Sequence, residues 1–342
     1  MTGESTKRPV REISQSPDWR NPLTPMQNVE VISRLEDEHM EELESLIVAA
    51  KAADGHEPFG EHKFLRLKRG ADLAVGFMAY EDKRLVGYAH TLTFDAAGER
   101  RVSCELTVHP QFRRKGIGRT LLSHIIEHAR SQGALRVELW AYNDSPASRA
   151  IASDFAFAET RRLLHMHRHP GPAPIPAPPE GASVRPFHPG ADEEMWLDLN
   201  NRVFAGHPEN GEWTMDDFSA RLRQPWFRPE DLLILEIDGI PAGFHWLKVE
   251  EREGEGRVGE VYIIGAAPEY YGRGLGRFLL ATGLTHLSKR DVDAVAVYVD
   301  QSNERAVALY ESFEFHHHHV DILYSLTLPA QANPPAAPAA TD

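Results

Sequence analysis

The 342-residue chain has a single cysteine, Cys104, so no disulfide can form within it, and a reducing, cytoplasmic compartment is the expectation. In "RVSCELTV" it reads as a small buried strand residue. Basic residues are in deficit: 37 Lys and Arg stand against 51 Asp and Glu, giving a formal net charge of −14 and a pI near 5.7. That balance speaks against nucleic acid or an anionic membrane as a partner and suits a small substrate carrying positive charge. No apolar run approaches the ~18–20 residues that a membrane span needs. The opening "MTGESTKRPVREISQSPDWRNP" lacks an apolar core, so residues 1–28 are expected to be a disordered tail and not a signal peptide.

What remains is ordinary globular composition, 42% hydrophobic and 26% charged, at a length that suggests two domains. A proline-rich stretch, "HPGPAPIPAPPEG", divides the chain, because proline supplies no amide donor for a helix or a central strand. The expected organisation is a domain over 29–169, a linker over 170–181, a second domain over 182–328, and a disordered tail over 329–342. The two halves repeat each other. Pro110 and Pro268, Gly116 and Gly274, Gly118 and Gly276, and Phe157 and Phe315 are pairs 158 residues apart, which marks a tandem duplication. Each half carries helices and β-strands in a similar order, so the fold class is α+β with a mixed, mostly antiparallel sheet per domain. In the first half Leu121, Leu122, Ile125, Ile126 and Ala129 fall at helical spacing just after the glycines.

Both repeats place a glycine corner between a strand and a helix: "RRKGIGRTLL" (113–122) and "YYGRGLGRFLL" (271–281). Such a corner presents unpaired backbone N–H groups at the positive end of a helix dipole, an anion site sized for phosphate. The order is neither the Rossmann nor the Walker arrangement. On these residues both halves resemble the GCN5-related N-acetyltransferases. The resemblance implies acetyl-CoA as acetyl donor, with its pyrophosphate at the corner and its pantetheine arm along the preceding strand. In the second half it implies cofactor contacts from Ile264, Gly265 and Ala266, then Tyr271, Gly272, Arg273, Gly274, Leu275, Gly276 and Arg277, and again from Asn303, Glu304, Arg305, Ala306, Val307 and Ala308. In the first half the matching residues are Leu106, Thr107 and Val108, then Arg114, Lys115, Gly116, Ile117, Gly118 and Arg119. Tyr271 departs from the usual Gln or Arg.

Further motifs in the second half, "NNRVFAGHPENGEWT", "PWF", "GFHWLKV" and "VDILYSL", resemble the mycothiol synthase branch of that family. Its members acetylate the cysteinyl amine of Cys-GlcN-Ins, desacetylmycothiol. That resemblance implies substrate contacts from Glu209, Lys248, Glu260 and Tyr298, and one from Glu61 of the first half, so the site would lie between the domains.

Acetyl transfer to an amine needs a proton acceptor for the amine and a donor for the leaving thiolate. Glu260, on the strand leading into the second corner, is the expected base, and Tyr310 the expected acid. Shifting by 158 gives Val102 and Ala152, neither of which exchanges a proton, so the first half is expected to be non-catalytic while still able to bind acetyl-CoA. Glu105 aligns with Ile263, and alternation then turns it to the opposite face from the expected base. Direct amine attack, without an acyl-enzyme, is expected. "HHHH" (316–319) alternates faces along a strand and so cannot converge on one ion, and no metal is expected. Glu314 replaces the glycine usual after the last helix, which puts that turn in doubt. The expected molecule is a monomer with small-molecule partners only. The residues leave two other readings open: a tandem acetyltransferase for another small amine, and a non-catalytic acetyl-CoA-binding module.

Overall fold

The computed structural model describes residues 29–60, 73–96, 98–207, 211–252 and 254–329. The first half contributes strands β1 (Val29–Ile32), β2 (Ala74–Glu81), β3 (Arg84–Ala96), β4 (Glu99–Val108), β5 (Arg136–Ala141) and β6 (Ala158–Arg168). The second contributes β7 (Ala182–Pro186), β8 (Leu232–Ile237), β9 (Ile240–Arg252), β10 (Gly256–Ala266), β11 (Ala294–Asp300) and β12 (His316–Thr327). The described α-helices are α1 (Asp37–Asp54), α2 (Ile117–Ser131), α3 (Pro146–Asp154), α4 (Glu193–Val203), α5 (Met215–Leu222), α6 (Leu275–Leu287) and α7 (Glu304–Glu311).

All twelve strands join one sheet, in the order β1-β2-β3-β4-β5-β12-β6-β11-β10-β9-β8-β7. Among the described pairings only β4–β5 and β10–β11 are parallel, so the sheet is mixed and mostly antiparallel, flanked by helices. The last strand of each half lies across the midline. β12 pairs with β5 of the first half, β6 pairs with β11 of the second, and β6 and β12 pair with each other. Each core accordingly contains the other half's side chains. Ile322 and Tyr324 of β12 pack with Val102, Cys104 and the buried stripe Ile117, Leu121, Leu122, Ile125, Ile126 and Ala129 of α2. Leu164 and Met166 of β6 pack with Val261, Val297 and the α6 residues Leu280, Ala281, Leu284 and Leu287.

Two features of the sheet shape the site. First, both parallel pairs are short. β4 meets β5 only from Arg101 to Cys104, and β10 meets β11 only from Val258 to Val261, so a wedge opens beyond each. Second, β10 carries a bulge that β4 lacks. The β9–β10 register slips between Val261 and Ile263, whereas β3–β4 runs unbroken from Gly87↔Val108 to Ala96↔Glu99. An extra residue shifts every position before it by one. Glu260 opposes Lys248 and Ala296, as Ser103 opposes Leu92 and Glu138; Ser103 is therefore its counterpart, not Val102. Ser103 and Glu105 alternate onto one face, so Glu105 shares the face of the expected base, contrary to the alignment by constant offset.

Candidate active site

The second wedge opens into a cavity of about 1120 Å³ lined by Ile264, Gly265 and Ala266 of β10, and by Tyr298 at the end of β11. Gly265 is required there by close approach: a Cβ would lie 2.3 Å from Cγ1 of Val203 at the end of α4. The corner follows. Gly272 and Gly274 have φ of 81° and 78°, and a Cβ on either would meet nothing within 4 Å, so both face open space. Gly274 caps α6, leaving the amides of Leu275, Gly276 and Arg277 without intrahelical partners. The Leu275 side chain is buried, so only its backbone is available. Tyr271 lines the cavity through its exposed ring, because its N–H donates to the Pro268 carbonyl at 3.1 Å. Arg273 lies over the Tyr270 ring at 5.3 Å, and Arg277 donates to Ser312 Oγ at 2.7 Å. Asn303 caps α7 by accepting from the Ala306 amide at 3.2 Å; both line the cavity. Val307 turns to the core, and Glu304, Arg305 and Ala308 follow on the same helix outside the cavity lining. An open glycine corner with free amides beside an unpaired strand edge fits the pyrophosphate and pantetheine of acetyl-CoA.

Glu260 stands one residue before the wedge and is 7% exposed. Arg252 donates to its Oε2, and its Oε1 has no hydrogen-bond partner among the described residues. Lys248 lies 2.9 Å from Glu250 Oε2 and 5.2 Å from the centre of the Trp226 ring, and Arg252 lies 2.9 Å from Glu250 Oε1. Burial tends to raise the Glu250 carboxyl, but Lys248 and Arg252 prevail and hold it below its usual range. Ala296, opposite Glu260, precedes Tyr298 by two residues, which puts Glu260 and Tyr298 on one face. Tyr298 is 39% exposed, yet desolvation by the groups packed around its ring first, and then the Glu260 charge, push its phenol up. Tyr310 is 6% exposed and lines the cavity, and its hydroxyl has no hydrogen-bond partner among the described residues. Burial pushes its phenol up, so it keeps its proton at neutral pH.

The first wedge is bridged by its own side chains. Glu105 is fully buried and accepts from Tyr142 Oη at 2.7 Å and from the Gly60 amide at 2.8 Å, with His90 Nε2 at 3.2 Å. The corner cations have carboxylate partners: Arg113 with Asp54 at 2.7 Å, Lys115 with Glu81 at 3.0 Å, and Arg119 with Asp154. Arg113 Nε also donates to the Val108 carbonyl at 3.0 Å. Arg114 adopts φ 65° where the copy has Gly272, and Gly116 caps α2 at φ 88°. Ile117 is core, Gly118 packs against Ile151, and Leu106 and Thr107 precede Val108 on the part of β4 that lies beyond its pairing with β5. Ala152, the counterpart of Tyr310, is 1% exposed.

Glu61 and Glu209 lie outside the described residues. Three groups escaped the sequence reading. Arg252 was legible in principle, since Lys248, Glu250 and Arg252 alternate onto the face that meets Glu260. Thr160, Arg161 and Arg162 of β6 also line the cavity. They belong to the first half and arrive only through the strand exchange. The third group is His165 and His167 of β6, which lie opposite the histidine run of β12. A register slip between His317 and His319 breaks the alternation expected of the histidine run: His318 stacks on His167 at 4.1 Å while His319 meets His165. Among the described residues no group of three or more His, Cys, Asp or Glu side chains could hold a metal ion.

The model of the Acetyltransferase (GNAT) family matches residues 34–157 and 194–315. Among curated proteins, a mycothiol acetyltransferase of Thermobispora bispora is 43% identical over 284 residues, covering 82% of this chain and 93% of that one. One from Salinispora arenicola is 43% identical over 286 residues, covering 82% and 91%. Among solved structures, a GCN5-related N-acetyltransferase from Sphaerobacter thermophilus has a TM-score of 0.63 at 23% identity, covering 92% of this chain and 97% of that one. A tandem GNAT protein from the clavulanic acid biosynthesis pathway has a TM-score of 0.67 at 17% identity, covering 88% and 98%. The chain belongs to the acetyltransferase (GNAT) family in its tandem-domain form, and is an acetyl-CoA-dependent N-acetyltransferase related to the mycothiol acetyltransferases.

Proposed function

We propose that this chain acetylates the cysteinyl amine of desacetylmycothiol in the second-half cavity, with Glu260 as base and Tyr310 as acid. The observation that carries the reading is the convergence of Tyr271 from the glycine corner, Tyr298 and a protonated Tyr310 on one cavity, with Glu260 beside it on the face of the sheet that Tyr298 shares. Acetyl-CoA, when bound, supplies the acetyl thioester. Glu260 takes the amine proton at Oε1 while Arg252 holds Oε2 and so fixes the carboxylate plane. Tyr310 keeps its proton until a thiolate develops beside it, and then donates it. The free amides of the β10 edge polarise the acyl oxygen. Lys248 and Tyr298 bind the polyhydroxylated acceptor, together with Glu209 and Glu61. Identity to proteins named mycothiol acetyltransferase supports the choice of acceptor. In the first half Ser103 and Ala152 stand where base and acid would be needed, and that half serves as scaffold and second acetyl-CoA site. The test is release of free CoA from purified protein with acetyl-CoA and desacetylmycothiol. Turnover of a different amine only, such as an aminoglycoside or polyamine, overturns the acceptor and leaves the fold and donor standing.

A further inference from the structure

The strand exchange brings imidazoles to the centre of the sheet. His165 on β6 has two cross-strand neighbours, Tyr298 on β11 and His319 on β12. It is 1% exposed, and its ring lies flat on Tyr298, centroids 4.1 Å apart and planes 9° apart. His165 Nδ1 is 3.0 Å from His319 Nδ1, and His165 Nε2 is 3.2 Å from His167 Nε2. His319 Nε2 stands 3.7 Å from Asp321 Oδ1.

A neutral imidazole between two others donates at one nitrogen and accepts at the other. His165 is held at both ring nitrogens, by His319 at Nδ1 and by His167 at Nε2, so whichever way the chain runs one nitrogen donates, the other accepts, and the ring keeps one orientation. The charged or titratable groups facing His165 are His167, His318, His319, Arg252 and Tyr298. Burial, then those histidines and Arg252, hold its imidazole well below the usual range, which keeps the chain neutral. Tyr298 has no such anchor. No hydrogen bond to a described residue restrains its phenol, and the stack on His165 is what fixes the ring at the cavity wall.

We propose that His165, locked by His167 and His319, is a positioning residue that holds the Tyr298 ring in the pose that receives the amine-bearing acceptor. The inference rests on the reading of Tyr298 as an acceptor contact.

The experiment uses the full chain and steady-state kinetics with desacetylmycothiol, or with whichever amine the wild type acetylates. His165→Ala should raise the acceptor KM about three- to tenfold, the ratio an aromatic stack of ordinary strength carries. The dissociation constant for acetyl-CoA should not change. In a Tyr298→Ala background, His165→Ala should add no further rise. If His165→Ala does not fold, His165→Phe keeps a ring without nitrogens and should still raise the acceptor KM, because the ring is no longer locked. An unchanged KM in a folded His165 variant overturns the proposal. So does an equal rise in the Tyr298→Ala background, or a Tyr298→Ala variant with wild-type KM. Failure of desacetylmycothiol alone, with another amine accepted, counts against the acceptor assignment and leaves this cycle to be run on that amine.

Discussion

Ala156 and Glu314 follow the helices α3 and α7 with φ of 58° and 64°, a left-handed turn that side chains other than glycine adopt at a cost. Phe157 and Phe315 then donate back to the carbonyls of Ala152 and Tyr310, at 2.9 and 3.2 Å, so the same turn closes both helices. The sequence raised a doubt at Glu314 because a glycine is usual there. The fold makes the glycine turn without the glycine, since the buried phenylalanine beyond it fixes the chain direction. Glu314→Gly and Ala156→Gly should therefore each stabilise the protein by about 0.5–1 kcal/mol, the left-handed penalty less the added entropy of the unfolded chain. Urea denaturation reads this directly, and a loss of stability in both variants would contradict it. Glu260→Gln concerns the same scale of change but the chemistry. Glutamine keeps an oxygen for Arg252 and the size of the side chain, yet accepts no proton from an amine. The variant should bind acetyl-CoA within twofold of wild type while kcat falls about 100-fold or more. A kcat near the wild-type value would remove Glu260 as base.

At the scale of elements, the glycine corners, the apolar stripe of α2 and the strand that leads into each corner were legible because each is a local pattern. The bulge at β10 was not: a constant offset of 158 aligns the strand correctly after the bulge and wrongly before it, so Val102 stood in for Ser103 and Glu105 was set on the opposite face. One inserted residue reverses an alternation argument, and nothing in "GEVYIIGAAP" announces it. The histidine strands carry a prediction of their own. Burial and like charges lower His165, and lower His167 and His319 to about 4, from the ordinary 6.5. Below pH 6.5 the unfolded chain binds protons that these folded imidazoles refuse, so stability present above 6.5 is lost as pH falls toward 4. Asp321 works against this. Burial raises it to about 6, so the folded state holds a proton there that the unfolded carboxyl has released. Three histidines against one carboxyl leave a net loss on acidification, with a slope of about 1.4 kcal/mol per pH unit for each proton in excess. The Tm should fall between pH 6.5 and 4.5, and fall less steeply in His319→Asn. A Tm independent of pH across that window would mean the group is not held neutral by the fold.

At the scale of the molecule, the duplication was plain from four residue pairs, and the exchange of last strands was not visible at all. Alternation tells which face of a strand is buried. It says nothing about which neighbour the strand takes, and β6 would read the same beside the strands of either half. A cut in the proline-rich segment 170–181 thus looks harmless in sequence and removes a central strand from both cores. Without β6, the second half loses Leu164 and Met166 from beneath α6, and β11 keeps an unpaired edge. It also loses the cavity wall at Thr160–Arg162. Without β12, the first half loses Ile322 and Tyr324 from beneath α2. Removing two large core side chains costs about 4–10 kcal/mol, comparable to the whole stability of a domain. Residues 182–342 expressed alone should therefore be insoluble or unfolded, and 1–169 alone likewise. Co-expression should recover a soluble one-to-one complex that transfers acetyl, because the exchanged strands pair equally well between two chains as within one. Size-exclusion chromatography and CoA release would read both outcomes. A soluble, cooperatively unfolding and active 182–342 fragment would show that the second half completes its own core, and that β6 is a wall of the site only.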